Sequence, residues 1–132
     1  MRRMKNWILF VAGVGGTAGV VAGALGAHAL AIDPVTPAGY TFHIAVTYLL
    51  LHAIALLGIG AHRASRPQGA LPLTIAAVLF TTGMILFSGS LILATAGDWP
   101  ALKVSAPWGG SALIAGWVAV VAAAFRSPHA AD

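Results

Sequence analysis

Long apolar runs alternate with short polar breaks along the whole chain. There are four such runs, each near the roughly 20 residues that carry an α-helix across a bilayer. They predict helices over about 7–31, 37–61, 71–96 and 107–125. The breaks carry helix start and stop signals. Ile32-Asp33-Pro34-Val35-Thr36 closes the first run, and Thr36-Pro37 reads as an N-cap followed by proline in the first turn. A basic turn, His62 to Gly69, separates the second run from the third, whose Pro72 is tolerated because it falls in the first turn. Asp98 to Ala106 reads as a polar loop flanked by Trp99 and Trp108, and Pro128 limits extension of the last helix. The pattern is that of an all-α integral membrane protein, a single bundle of four transmembrane helices.

The start, MRRMK before an apolar run and Ala27-His28-Ala29, has the outline of a secretory signal. A run of about 24 residues exceeds the usual 7–15-residue signal core, so the segment is expected to be a retained first span. Within it, Gly15, Gly19 and Gly23 repeat every fourth residue, a small-xxx-small pattern that lets another helix approach closely. Gly26 follows, and His28 is the one ionisable group. Thr17, Val21, Ala24 and His28 fall on a different face from the glycines. Two occupied faces would make this helix the hub of the bundle.

The other helices have their own patterns. On the fourth, Gly109, Ala112, Gly116, Ala119 and Ala123 fall on one side, while Leu113, Ile114, Trp117, Val118, Val120, Val121 and Phe125 fall on the other. Close packing of small residues drives association in lipid, so the small side is expected inward and the bulky side outward. The third helix carries hydroxyls at Thr74, Thr81, Ser88 and Thr95, each seven residues after the last. That seam is either a polar path or, as favoured here, a row of side chains bonded to the carbonyl one turn earlier. On the second helix, His52 shares a face with Thr41, Ala45, Tyr48, Ala55 and Ile59, which is expected to be interior. His43 falls on the opposite face, near the headgroup level.

Composition sharpens the membrane reading. Of 132 residues, 59% are hydrophobic and only 8% charged, against about a quarter charged in soluble domains. The net charge of +4 does not point to nucleic acid, because the seven basic residues form no patch and all lie outside the apolar runs. Placing the N-terminus in the cytoplasm puts Arg2, Arg3, Lys5, Arg63, Arg66 and Arg126 inside and only Lys103 outside. That six-to-one split predicts that both termini are cytoplasmic. Trp7 then anchors the inner interface, and Tyr40, Trp99 and Trp108 the outer one. With no cysteine, disulfides and thiolate chemistry are excluded.

Four strings add a resemblance. They are Gly23-Ala24-Leu25-Gly26-Ala27-His28-Ala29-Leu30; Ala45-Val46-Thr47-Tyr48 with His52-Ala53-Ile54-Ala55-Leu56; Leu86-Phe87-Ser88-Gly89-Ser90-Leu91; and Pro107-Trp108-Gly109-Gly110 through Gly116-Trp117. Together the chain resembles the small inner-membrane proteins of the YgdD/YwdK type, a family of unknown function with a mitochondrial branch. The resemblance implies a four-helix membrane fold with no established activity. Its motif positions fall on Gly26, His28, Tyr48, His52, Ser88, Gly89, Ser90, Gly109, Gly110, Gly116 and Trp117. Leu49 departs from a position where relatives often carry a polar residue.

The chemistry available in the spans is narrow. Asp33 and Asp98 lie in breaks and Asp132 is terminal, so the spans offer neither paired carboxylates nor a Ser-His-Asp triad. Histidine remains, and an intramembrane ionisable group raises a functional question by default. At 1.5 Å per residue, His28 and His52 differ in depth by about 15 Å, too much for opposing ligands of one haem. Neither cofactor nor metal is expected. His52 is expected uncharged and partnered by Tyr48, by Thr81 or Thr82, by a backbone carbonyl or by a trapped water. The sequence thus predicts a non-catalytic scaffold or accessory subunit of the inner (plasma) membrane, packed with itself or with a larger membrane complex. The alternative is a small-molecule or lipid-binding module, or minor transporter, using an outer-half cluster of His28, Ser88, Ser90 and Ser111, with Tyr48, His52 and Thr81 as further polar-network candidates.

Overall fold

The computed structural model describes residues 6–65 and 71–125, and all regular structure among them is helical. Helix α1 is Trp7–Ala24 and runs on into a π-helical turn, Leu25–Ala29. Helix α2 is Pro37–Ser65. The third span is built from α3 (Leu71–Gly83), a π-helical turn (Met84–Gly89) and α4 (Ser90–Ala96). A 3-10 turn, Pro100–Ser105, leads into α5, Ala106–Ala124. Four helical stretches, Trp7–Ala29, Pro37–Ser65, Leu71–Ala96 and Pro100–Ala124, are long and apolar enough to cross a membrane.

The helix ends follow local chemistry. Asn6 caps α1, its side chain accepting from the Leu9 N–H at 3.2 Å. Thr36 caps α2 as the sequence predicts: its hydroxyl accepts from the Gly39 N–H at 3.0 Å and donates to the Asp33 carbonyl at 2.8 Å. Gly39 is required there, since a Cβ would strike the Asp33 carbonyl group. The first span stops when Ala31 takes a φ of 46°, a left-handed conformation usually given to glycine. Two boundaries differ from expectation. His62 to Ser65 continue α2 instead of opening a turn, and residues 66–70 of the expected turn lie outside the described residues. The expected loop from Asp98 to Ala106 is mostly the 3-10 turn, begun by Pro100, whose fixed φ suits a first helical position.

The spans pack as two pairs. Helix α1 lies along α2, α3 lies along α5, and α2 joins the pairs through the π turn and α4. The shared core holds Ile8 and Ala12 from α1, Leu56 from α2, Phe80 from α3, Met84 and Leu113. The first span is therefore a flank and not the hub its glycines predict. Only 22% of its most apolar window is buried, against 44% for the second and third spans. Its buried residues, Ile8, Ala12, Gly15 and Gly19, form a single face, and bulky Leu9, Phe10, Val14 and Val21 leave the other face to the hydrocarbon.

Glycines act as notches for neighbouring side chains. A Cβ on Gly15 would meet the Met84 methyl, one on Gly19 the Leu50 side chain at 2.6 Å, and one on Gly26 the Phe42 ring. Gly23 is different: its nearest neighbour, Val46, stands at an ordinary 3.6 Å. On α5 the small side faces inward. Gly116 lies under the Phe80 ring, and Gly109 lets α5 reach the backbone of Leu86 and Phe87. The bulky side does not all face outward, however. Leu113 is buried over Gly83, Val120 packs against the core, and Trp117 turns toward α2. The reason is complementarity, because a glycine on one helix receives a large side chain from the next.

Candidate functional site

The most polar contact between spans is built on His52. This residue lies on the buried stripe of α2, between Leu49 and Leu56, and is itself buried. Its Nδ1 stands 2.7 Å from the Tyr48 carbonyl oxygen, and its Nε2 lies 3.1 Å from the Trp117 indole nitrogen of α5. An indole N–H can only donate, so Nε2 is the acceptor. Nδ1 then carries the proton and donates to the carbonyl. Both functions of a neutral imidazole are used, one within α2 and one across to α5. The backbone carbonyl is among the partners the sequence leads one to expect; Trp117 is not.

Aromatic rings surround this bond. Phe80 presents an edge to His52 at 5.1 Å and lies 5.1 Å from Trp117. Tyr48 sits 5.9 Å from His52 and 5.2 Å from Phe87 of the π turn. Such pairs add about 0.5–1.5 kcal/mol each beyond their burial. The cluster ties three spans together and reaches the lipid-facing surface, for Tyr48 is 43% exposed and Trp117 48%. Tyr48 thus stands at the edge of the interior face predicted for it.

The remaining candidates are dispersed. His28 lies in the first π turn, exposed and without a hydrogen-bond partner among the described residues. Thr81 donates to the Ala77 carbonyl at 2.7 Å, and Ser111, exposed, to the Pro107 carbonyl at 2.9 Å. Ser90 is buried and donates to the Leu86 and Phe87 carbonyls at 2.6 and 3.0 Å. Ser88 and Thr95 have buried hydroxyl oxygens with no partner among the described residues, so the back-bonding expected along that seam does not extend to them. No hydrogen bond among the described residues joins His28, Ser88, Ser90 and Ser111 to one another. Nor do the described residues contain a group of three or more His, Asp or Glu placed to hold a metal ion. A ligand on His52 Nε2 would have to displace the Trp117 N–H.

Sequence reasoning missed two features. The Leu86 carbonyl accepts a second hydroxyl, from Ser105 at 3.0 Å, which fastens the 3-10 turn to the π turn. A widened turn frees carbonyls for such bonds, and hydropathy carries no sign of it. The second is the inward turn of Trp117, for which the one available signal is depth: it lies eleven residues into α5, far from the interfaces where membrane tryptophans gather. An indole N–H at that depth needs an acceptor.

The profile of a family described as "Protein of unknown function (DUF423)" matches residues 22–110. The chain belongs to that family. The DUF423 match takes in both π turns, His52 and the Gly109 notch, and stops short of Trp117. A relative, the UPF0382 membrane protein YwdK of Bacillus subtilis (strain 168), is 35% identical over 106 residues, covering 79% of this chain and 84% of its own length. No solved structure significantly matches the chain. With four apolar helices and a membrane-protein relative, this DUF423 member is a multi-pass membrane protein. Two of the four strings that carry the resemblance, those around Gly26 and Ser88, coincide with the two π turns.

Proposed function

We propose that this chain is a non-catalytic scaffold or accessory subunit of the inner (plasma) membrane, with both termini cytoplasmic, that packs laterally against another protein helix. The supporting observation is the outer flank of α1. Leu9, Phe10, Gly13, Val14, Thr17, Ala18 and Val21 form a shallow, open and mostly apolar surface there. A Cβ on Gly13 or Gly16 would meet nothing within 4 Å. Glycine inside a helix costs about 1 kcal/mol relative to alanine. At Gly15 and Gly19 that cost is offset by a neighbour's close approach; at Gly13 a helix from outside the chain would offset it. The polar groups of the bundle support a structural role as well, since His52 and Ser105 bond across spans while Thr81, Ser90 and Ser111 bond carbonyls of their own helices.

The absence of cysteine makes the test clean. Single cysteines at Gly13 and Thr17 should cross-link to a protein in native membranes, while one at Val118, on the exposed side of α5, should not. Purification in mild detergent should retain that protein. Recovery of a lone chain with a stoichiometric small molecule, and no cross-link at Gly13 or Thr17, would overturn the proposal.

A further inference from the structure

The end of the bundle where α1 begins and α2 finishes carries an unanswered cation. Gly60 lies beside the start of α1, its added Cβ falling 3.8 Å from the Asn6 side-chain oxygen and 3.9 Å from the Leu9 nitrogen. Arg63 follows one turn later, continuing the buried stripe that ends with Ile59 and Gly60. Its side chain is half-buried, and its Nε is fully buried with no hydrogen-bond partner among the described residues. The Asn6 oxygen accepts from the Leu9 N–H and not from Arg63 Nε.

No carboxylate among the described residues can answer it. The chain has three acidic residues. Asp33 and Asp98 lie in the breaks after the first and third spans, at the opposite end of the bundle, and Asp132 lies outside the described residues. A buried guanidinium donor left unpaired is costly, so an acceptor beyond the described residues is called for. Guanidinium presents a planar fork that matches the oxygens of a phosphate in pairs. At the end of a transmembrane helix, the phosphates at hand are those of lipid headgroups. A zwitterionic lipid would also bring an ammonium, and no described carboxylate is present at this end to receive it. An anionic headgroup brings no such need.

We infer that Arg63, at the junction of the α1 start and the α2 end, binds the phosphate of an anionic phospholipid. The site is independent of the α1 flank and of any protein docked there. The full chain in nonionic detergent, stripped of lipid, is titrated with phosphatidylglycerol in mixed micelles. Phosphatidylcholine and inorganic phosphate form parallel arms, read by thermal midpoint and by native mass spectrometry. One phosphatidylglycerol per chain should be retained and the midpoint should rise. Arg63→Lys keeps the charge but loses the fork and the Nε donor, and should weaken binding about tenfold. Lys103→Gln, at the opposite end, should leave binding unchanged. Equal binding of phosphatidylcholine would overturn the inference, as would an equal midpoint rise with inorganic phosphate alone. So would an Arg63→Lys variant that binds like wild type, since charge alone would then suffice. Should Arg63→Lys fold poorly, the comparison of lipids on the wild-type chain still decides.

Discussion

Removing the indole donor of Trp117 tests the bond that joins α2 to α5. In Trp117→Phe a ring remains to pack on Phe80, but the donor to His52 Nε2, now 3.1 Å away, is lost. Hydrogen bonds between membrane helices are worth about 0.5–1.5 kcal/mol. The smaller ring sacrifices about another 0.5–1 kcal/mol of packing, so the variant should lose about 1–2.5 kcal/mol. His52→Leu strands the indole N–H in hydrocarbon and should cost about 1–3 kcal/mol. His52→Gln keeps a donor and an acceptor and should cost less than about 1 kcal/mol. The pair Trp117→Phe and His52→Leu should be non-additive by about 0.5–1.5 kcal/mol in a double-mutant cycle. Equilibrium unfolding in mixed micelles of mild and denaturing detergent measures all of these. Imidazole nitrogen NMR supplies an independent readout, with the proton expected on Nδ1. A coupling under about 0.3 kcal/mol, or a proton on Nε2, would refute the assignment.

Other outcomes follow from the packing. Gly109→Ala should destabilise by about 1–2 kcal/mol despite the gain in helix propensity, because its Cβ would lie 2.6 Å from the Leu86 carbonyl carbon; thermal midpoints in detergent check this. Gly23→Ala should be neutral or slightly stabilising in the same assay, since Val46 is 3.6 Å away, whereas Gly19→Ala should destabilise by crowding Leu50. For the proposed orientation, a cysteine at Ser65 should be shielded from an impermeant thiol reagent in intact cells and one at Val104 labelled. Val104 is 78% exposed, while Ser105 is engaged with the Leu86 carbonyl. The reverse labelling pattern would invert the topology.

What the sequence reveals here depends on the range of the interaction. Spans and caps were legible because hydropathy and Thr36-Pro37 act within a few residues, and α2 begins at that proline. Gly109 and Gly116 were legible as an inward stripe, since small residues repeat on one side of α5. Which large residues also turn inward was not legible, because that depends on notches in another helix. Leu113 needs Gly83, and Phe80 needs Gly116. Gly15 and Gly19 are buried, beside Met84 and Leu50, yet their spacing could not show that the opposite face lacks a neighbour among the described residues. The π turns were hidden for a different reason. A heptad reading of Thr74, Thr81, Ser88 and Thr95 assumes an unbroken α-helix, and Met84–Gly89 interrupts it.

That interruption gives Ser88 a sign to test. Ser88 and Ser90 lie on the same short stretch, both buried, with opposite fates. Ser90 reaches two carbonyls of the widened turn, while Ser88 Oγ reaches none among the described residues. A buried hydroxyl without a partner costs about 1–3 kcal/mol, and removing it gives that cost back. Alanine also exceeds serine in helix propensity by roughly 0.5 kcal/mol. Ser88→Ala should therefore stabilise the protein by about 1 kcal/mol or more. Ser90→Ala should destabilise it by about 1 kcal/mol, because the Leu86 and Phe87 carbonyls both lose the Ser90 donor. The opposite signs are the useful content, since any general effect of shortening serine in this span would move both variants the same way. Thermal midpoints of the two variants, measured side by side in one detergent, decide it. If Ser88→Ala is destabilised as much as Ser90→Ala, the Ser88 hydroxyl has a partner in the membrane, and the π turn binds something beyond its own helix.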